Sequence, residues 1–132
     1  MRILIVDDDP VTSRLLKGIL SPHGECDIVN DGKDAIQAFL AAHEKKRPYD
    51  LICMDIMMPK MDGNVALVQI RELEKNMGIK NADGVRVIMI SDLGDGKSVT
   101  KAYYEGGATS YMVKPIDREK LLKEIRGLDL IS

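Results

Sequence analysis

Apolar residues gather along this chain in short runs, separated by longer stretches in which they recur at helical spacing. The runs are Ile3–Val6, Leu51–Met54, Val85–Ile90 and Tyr111–Val113, with a weaker one at Cys26–Val29. Those at Ile3, Leu51 and Val85 are nearly continuous rather than alternating, the pattern of strands covered on both faces. Between the runs, Val11, Leu15, Leu16, Ile19 and Leu20 fall on one helical face. A second stripe is Ile36, Phe39, Leu40 and His43, and a third is Val65, Val68, Ile70, Leu73 and Met77. Val99, Ala102 and Tyr103 form a shorter fourth, and Leu121, Leu122, Ile125 and Leu128 a fifth. Pro10 is placed to open the first helix. Asp31-Gly32, Asp62-Gly63 and Asp83-Gly84 predict turns. Lys45–Arg47 reads as the solvated end of the second helix, and Gly78–Gly84 as an extended connection.

The order is strand then helix, repeated along the chain. That pattern predicts an α/β domain whose five-stranded parallel sheet carries helices on both faces. Right-handed crossovers prune the topologies, and the flavodoxin-like strand order 2-1-3-4-5 is the natural candidate.

Composition narrows the function classes. The 132 residues suit one domain able to bury a core without staples. A formal net charge of -2 offers no strongly basic surface for nucleic acid. No apolar run is long enough to span a membrane, and MRILIVDDDP reaches acids too soon for a signal peptide. Cys26 and Cys53 lie in apolar stretches and are expected to be buried, reduced thiols. Together these features point to a cytoplasmic protein.

In open α/β sheets, ligands bind outside the carboxyl ends of the strands. The first run ends in Asp7-Asp8-Asp9, the third in Asp55, the fourth in Ser91-Asp92 and the fifth in Lys114-Pro115. Carboxylates thus converge from strands one and three, neighbours at the switch point, while a hydroxyl and a lysine approach from the other side. Asp9 is equally a candidate helix N-cap. Clustered carboxylates repel one another unless something compensates. Magnesium suits them, because it takes hard oxygen ligands and typically uses one or two carboxylates beside phosphate oxygens. A carboxylate can also attack phosphorus and form an acyl phosphate. Lys114 would bring a mobile charge to the phosphoryl oxygens, and Ser91 a hydrogen bond.

These residues lie within ILIVDDD, MDIMMPKMDG, VIMIS and YMVKP. With those motifs the chain resembles, over nearly its whole length, the receiver domain of two-component response regulators, and in particular the single-domain chemotaxis type. The resemblance implies that Asp55 is the phosphoacceptor. Asp7 and Asp8 would hold magnesium, with manganese as the alternative, Asp8 directly and Asp7 partly through water. Met57 would lend its backbone carbonyl. Ser91 and Tyr111 would be the switch residues, Lys114 would meet the phosphoryl oxygens, and the Lys114-Pro115 peptide would be cis. Residues 1–132 would form a single receiver domain with no output domain. A histidine kinase or histidine phosphotransfer protein would phosphorylate Asp55. An unknown downstream protein would read the face made by the fourth helix, fifth strand and fifth helix, with one of Tyr103 and Tyr104 exposed to it. Neither nucleic acid nor membrane is implied as a partner, and the expected state is a monomer or a weak phosphorylation-dependent dimer. The domain would catalyse only its own phosphorylation and dephosphorylation.

Two departures stand out. Asp92 occupies a position where the family usually has a small residue; its carboxylate either repels an incoming phosphoryl group or points to solvent, and solvent is expected. The loop Leu93-Gly94-Asp95-Gly96 is one residue longer than in the chemotaxis type and is expected to be the most mobile part. Met57 and Leu93 sit where the family tunes the lifetime of the acyl phosphate, and their apolar side chains imply a long one. The alternatives are a receiver that acts without phosphorylation, a haloacid-dehalogenase-type phosphatase and a flavin carrier. The phosphatase needs a further acidic pair on a strand after the lysine, whereas Asp117 follows at a helix start. Three aspartates after strand one would repel a flavin phosphate.

Overall fold

The computed structural model describes residues 1–58, 60–92 and 107–132. The expected stripe of Val99, Ala102 and Tyr103, the loop Leu93–Gly96 and Tyr104 lie outside the described residues. Within them the order is β1 (Arg2–Val6), α1 (Pro10–Leu20), β2 (Glu25–Val29), α2 (Gly32–Glu44), β3 (Leu51–Asp55), α3 (Gly63–Asn76), a 3-10 turn (Asn81–Asp83), β4 (Arg86–Ser91), β5 (Ser110–Val113) and α4 (Arg118–Gly127). The strands form one parallel sheet in the order β2-β1-β3-β4-β5, as the sequence predicts.

The continuous apolar runs are explained by two cores, one on each face of the sheet. Leu4, Val6, Ile52, Met54, Val87 and Met89 pack with Phe39 of α2 and Leu67 and Ile70 of α3. Their strand neighbours Ile3, Ile5, Leu51, Cys53, Ile88 and Ile90 point the other way, against Leu16 and Ile19 of α1 and Leu121 and Ile125 of α4. Successive strand side chains alternate faces, so a strand with both faces covered has no polar position. Each fully buried aliphatic side chain contributes about 1.5–3 kcal/mol by leaving water.

Three sequence expectations shift. Val11 and Leu15 lie outward on α1, and Val65 and Met77 outward on α3. The buried face of α3 is instead Ala66, Leu67, Ile70 and Glu74, one step round the helix, because the larger apolar residues at 67 and 70 meet the sheet. Asp31-Gly32 and Asp62-Gly63 do not form isolated turns; each aspartate is an N-cap and each glycine the first residue of its helix. Finally, Cys53 is buried but Cys26 only half-buried, since β2 is an edge strand covered less completely; burial pushes the Cys53 thiol up to about 12.

Glu74 is a buried charge that the apolar pattern conceals. Arg71 Nη1 donates to its Oε1 at 2.7 Å, and the Val85 N–H donates to its Oε2 at 2.7 Å. Arg71 also donates to the carbonyls of Val85 (2.8 Å) and Gly107 (3.0 Å). One ion pair therefore ties α3 to the entry of β4 and to the segment leading into β5.

Candidate functional site

The register brings the expected strand-end residues together. Val6 pairs with Met54, so Asp7 and Asp8 emerge from β1 beside Asp55, the last residue of β3. Asp55 pairs with Ile90, placing Ser91 one step further along β4. The Lys114 N–H donates to the Ser91 carbonyl at 2.8 Å, which delivers the lysine to the same edge. The Lys114-Pro115 peptide is cis.

Asp7 and Asp55 are buried and Asp8 is exposed, yet one carboxylate oxygen from each lies within 4.8 Å of the other two. The Lys114 ammonium lies 3.2 Å from Asp55 Oδ2 and 3.6 Å from Asp7 Oδ2. The second oxygen of each buried acid is held by backbone: the Asp9 N–H donates to Asp7 Oδ1 at 2.9 Å and the Met57 N–H to Asp55 Oδ1 at 3.2 Å. The chain after each strand thus curls around its own carboxylate and fixes its direction.

Two buried carboxylates share one ammonium here, and the protonation equilibria reflect it. Burial, then the charge of Asp7, pushes the Asp55 carboxyl up to about 6, against the pull of Lys114 and the Met57 N–H. Burial also raises Asp7. Burial works to lower Lys114, but the charges of Asp55 and Asp7 outweigh it and the ammonium is held above its ordinary value. The two buried acids rise because burial outweighs the pull of one shared lysine, and the lysine rises because both of their charges act on it.

Such a site is short of positive charge. Asp7 Oδ2 is buried and accepts no hydrogen bond among the described residues. An orphaned carboxylate oxygen beside two more hard oxygen donors fits a divalent cation of the magnesium type. The Ser91 hydroxyl, 1% exposed, likewise has no hydrogen-bond partner among the described residues. A buried hydroxyl left unpaired costs about 1–3 kcal/mol.

Other expected groups fall elsewhere. Asp9 caps α1, its side chain accepting from the Val11 N–H and from the Thr12 hydroxyl. Asp117 caps α4 through the N–H groups of Glu119 and Lys120, at a helix start and not on a strand. Tyr111 is 40% exposed on β5, and Asp92 is exposed, as expected. Leu93 lies outside the described residues.

The strand-end reading did not anticipate Gly63. A Cβ there would collide with the carbonyl oxygen of Asp55 and stand 3.0 Å from Ile56 Cα. Both obstacles are backbone, so Gly63 lets α3 start directly against the end of β3. Gly63→Ala is expected to cost about 1–3 kcal/mol through forced backbone shifts, and to disturb Asp55 itself. Gly18, with nothing within 4 Å of its Cβ position inside α1, is the control: Gly18→Ala should gain about 0.5–1 kcal/mol. Denaturant unfolding of the two variants checks both signs.

Comparison with known proteins agrees with this geometry. Residues 3–126 match the family model of the response regulator receiver domain. The chain is 40% identical over 129 residues to the chemotaxis protein CheY of Treponema pallidum, covering 96% of this chain and 81% of that protein. Its fold matches CheY in the CheX-CheY-BeF3-Mg+2 complex from Borrelia burgdorferi, with a TM-score of 0.78, 34% identity, and coverage of 98% and 89%. It also matches the receiver domain of Saccharomyces cerevisiae Ssk1, co-crystallised with the histidine phosphotransfer signaling protein Ypd1, with a TM-score of 0.81, 26% identity, and coverage of 95% and 86%. Among the described residues no helix is long and apolar enough to cross a membrane. From the parallel sheet, the converging strand ends and these likenesses together, the chain belongs to the response regulator receiver domain family of two-component signalling.

Proposed function

We propose that this domain is a phosphoacceptor switch in which Asp55 takes a phosphoryl group from a phosphohistidine on a kinase or phosphotransfer protein. The observation that carries the reading is the buried Asp55 carboxylate with the Lys114 ammonium 3.2 Å away, inside a cluster of three acids. Complexes of relatives with Mg2+ and BeF3, and of Ssk1 with Ypd1, support it.

Asp7, Asp8 and Asp55, with the backbone carbonyl of Met57, would hold a magnesium ion. When bound, the ion offsets charge on the transferring phosphoryl group. The chain's own groups do the rest. An Asp55 oxygen attacks phosphorus, and the donor nitrogen leaves with the bonding pair. Lys114, already at the acceptor oxygen, moves its charge onto a phosphoryl oxygen. The Ser91 hydroxyl, without a hydrogen-bond partner among the described residues, would donate to another. That new bond would favour one of two arrangements of the β4–β5 edge, with Tyr111 following it. A partner would read the change at the surface around β5 and α4.

Intact-mass measurement after acetyl phosphate and magnesium tests the proposal. One phosphoryl adduct is expected on the wild-type chain, and none when the metal is chelated. Adduct formation indifferent to the metal would overturn the assigned ligand set. Met57 is 59% exposed at the mouth of the site, where an apolar side chain offers an attacking water no hydrogen bond. Met57→Asn is expected to shorten the life of the adduct several-fold, read as the rate of its loss after the donor is removed. An unchanged rate would show that Met57 does not protect the acyl phosphate.

A further inference from the structure

The chain after β2 returns to the site from the side. Val29, the last residue of β2, accepts from the Asp7 N–H at 3.1 Å, and Asp31 caps α2 at the same end of the sheet. Asp31 is 5% exposed. Its Oδ1 accepts from the Asp34 N–H at 2.9 Å, and its Oδ2 lies 3.8 Å from the Lys60 ammonium. Lys60 belongs to the connection from Asp55 to α3, and its φ of 66° is left-handed. A residue other than glycine keeps that conformation only where its surroundings fix it. The first turn of α2 also holds the next residue. A Cβ on Gly32 would stand 2.9 Å from the Met61 carbonyl oxygen and 3.0 Å from Met61 Cγ. Met58 and Met61 pack against the core beneath. The far end of the connection is thus pinned to α2 at Lys60 and at Met61. Its near end carries Met57, whose N–H donates to Asp55 Oδ1.

Resting on the reading of Asp7, Asp8, Asp55 and the Met57 carbonyl as a magnesium site, we propose that Asp31 and Lys60 are a positioning pair for that site. Neither side chain is a ligand. The pair fixes the connection against α2, so that the Met57 carbonyl is already in place when the ion binds. A donor held in advance loses less freedom on binding. Position and charge make opposite demands of Lys60. By charge alone, Asp31 attracts a cation and Lys60 repels it, so removing the first weakens binding and removing the second strengthens it. By position, losing either partner releases the same connection, and both losses weaken binding.

Titration calorimetry of magnesium into the chelator-stripped protein separates the two. Wild type, Asp31→Asn, Lys60→Met and the double variant are compared. Asparagine keeps the cap on the Asp34 N–H, and methionine keeps an unbranched side chain without its charge. Each single substitution is expected to raise the magnesium dissociation constant about two- to fivefold, the range open to an exposed ion pair. The double variant should bind no worse than the weaker single variant, because both remove one interaction. Tighter binding by Lys60→Met would overturn the proposal and leave charge alone as the cause. So would unchanged affinity in both single variants, or losses that multiply in the double variant. Thermal unfolding of the metal-free proteins is read alongside. Affinity lost only by variants already unfolding at the titration temperature would also overturn the proposal, by making the pair a support of the fold. A wild-type chain that takes up no magnesium would instead remove the metal site itself, and the pair's role with it.

Discussion

Asp55→Ala is expected to take up no phosphoryl group and, with divalent ions chelated, to melt higher than the wild-type domain. The first half follows from the proposed nucleophile: within the cluster, the Lys114 ammonium hydrogen-bonds to Asp55, at 3.2 Å, and stands further off, at 3.6 Å, from Asp7. The second half follows from linkage. The Asp55 carboxyl is held up to about 6 against an ordinary 3.8, burial contributing most and the charge of Asp7 next. A raised value means that the native state binds the proton more tightly than the unfolded chain does. Stability tied to Asp55 is therefore greatest below the unfolded value, declines as pH rises toward about 6, and is lowest above it. At neutral pH alanine removes that cost and leaves Lys114 paired with Asp7 at 3.6 Å. Intact mass and thermal unfolding of the chelated proteins check the two halves separately. An adduct that persists would point to the exposed Asp8 instead. A lower melting temperature would show that Asp55 supports the fold rather than straining it.

Glu74→Ala is expected to be the most damaging single change away from the site, costing about 3–5 kcal/mol. Glu74 is 4% exposed and saturates both carboxylate oxygens, one on Arg71 and one on the Val85 N–H. Truncation strands a buried backbone donor and leaves the Arg71 guanidinium with the carbonyls of Val85 and Gly107 alone. Gly84 confirms how closely the chain is built around this pair, since a Cβ there would stand 2.7 Å from one Glu74 oxygen and 2.9 Å from the other. Glu74→Gln keeps one acceptor and two donors and should lose about half as much. Denaturant midpoints of the two variants give the comparison. A cost below about 1 kcal/mol for Glu74→Ala, the worth of a single ordinary hydrogen bond, would show that water replaces the carboxylate.

The strand order and the cluster of polar strand ends were legible in the sequence because they rest on local properties. A run such as Ile3–Val6 has no polar position, so it needs cover on both faces, and alternation with helical stripes then leaves few topologies. The strand-end rule selects Asp7, Asp8, Asp55, Ser91 and Lys114 without reference to any packing detail. Other features depended on neighbours remote in sequence. Spacing places Val11, Leu15, Val65 and Met77 on a helix face, but it does not say which side of that face meets the sheet; packing turned all four outward. Asp9 and Asp8 are adjacent acids of the same type, and only the turn into α1 made one a cap and the other a member of the cluster. Glu74 reads as a solvated helix residue until Arg71 and Val85 close over it. The sequence by itself therefore determined the layers of the fold and the chemistry at its edge, since both follow from side-chain type and period. Only the tertiary structure decided which charges are shared, buried or left over, because a charge takes its energy from its neighbours and its solvent.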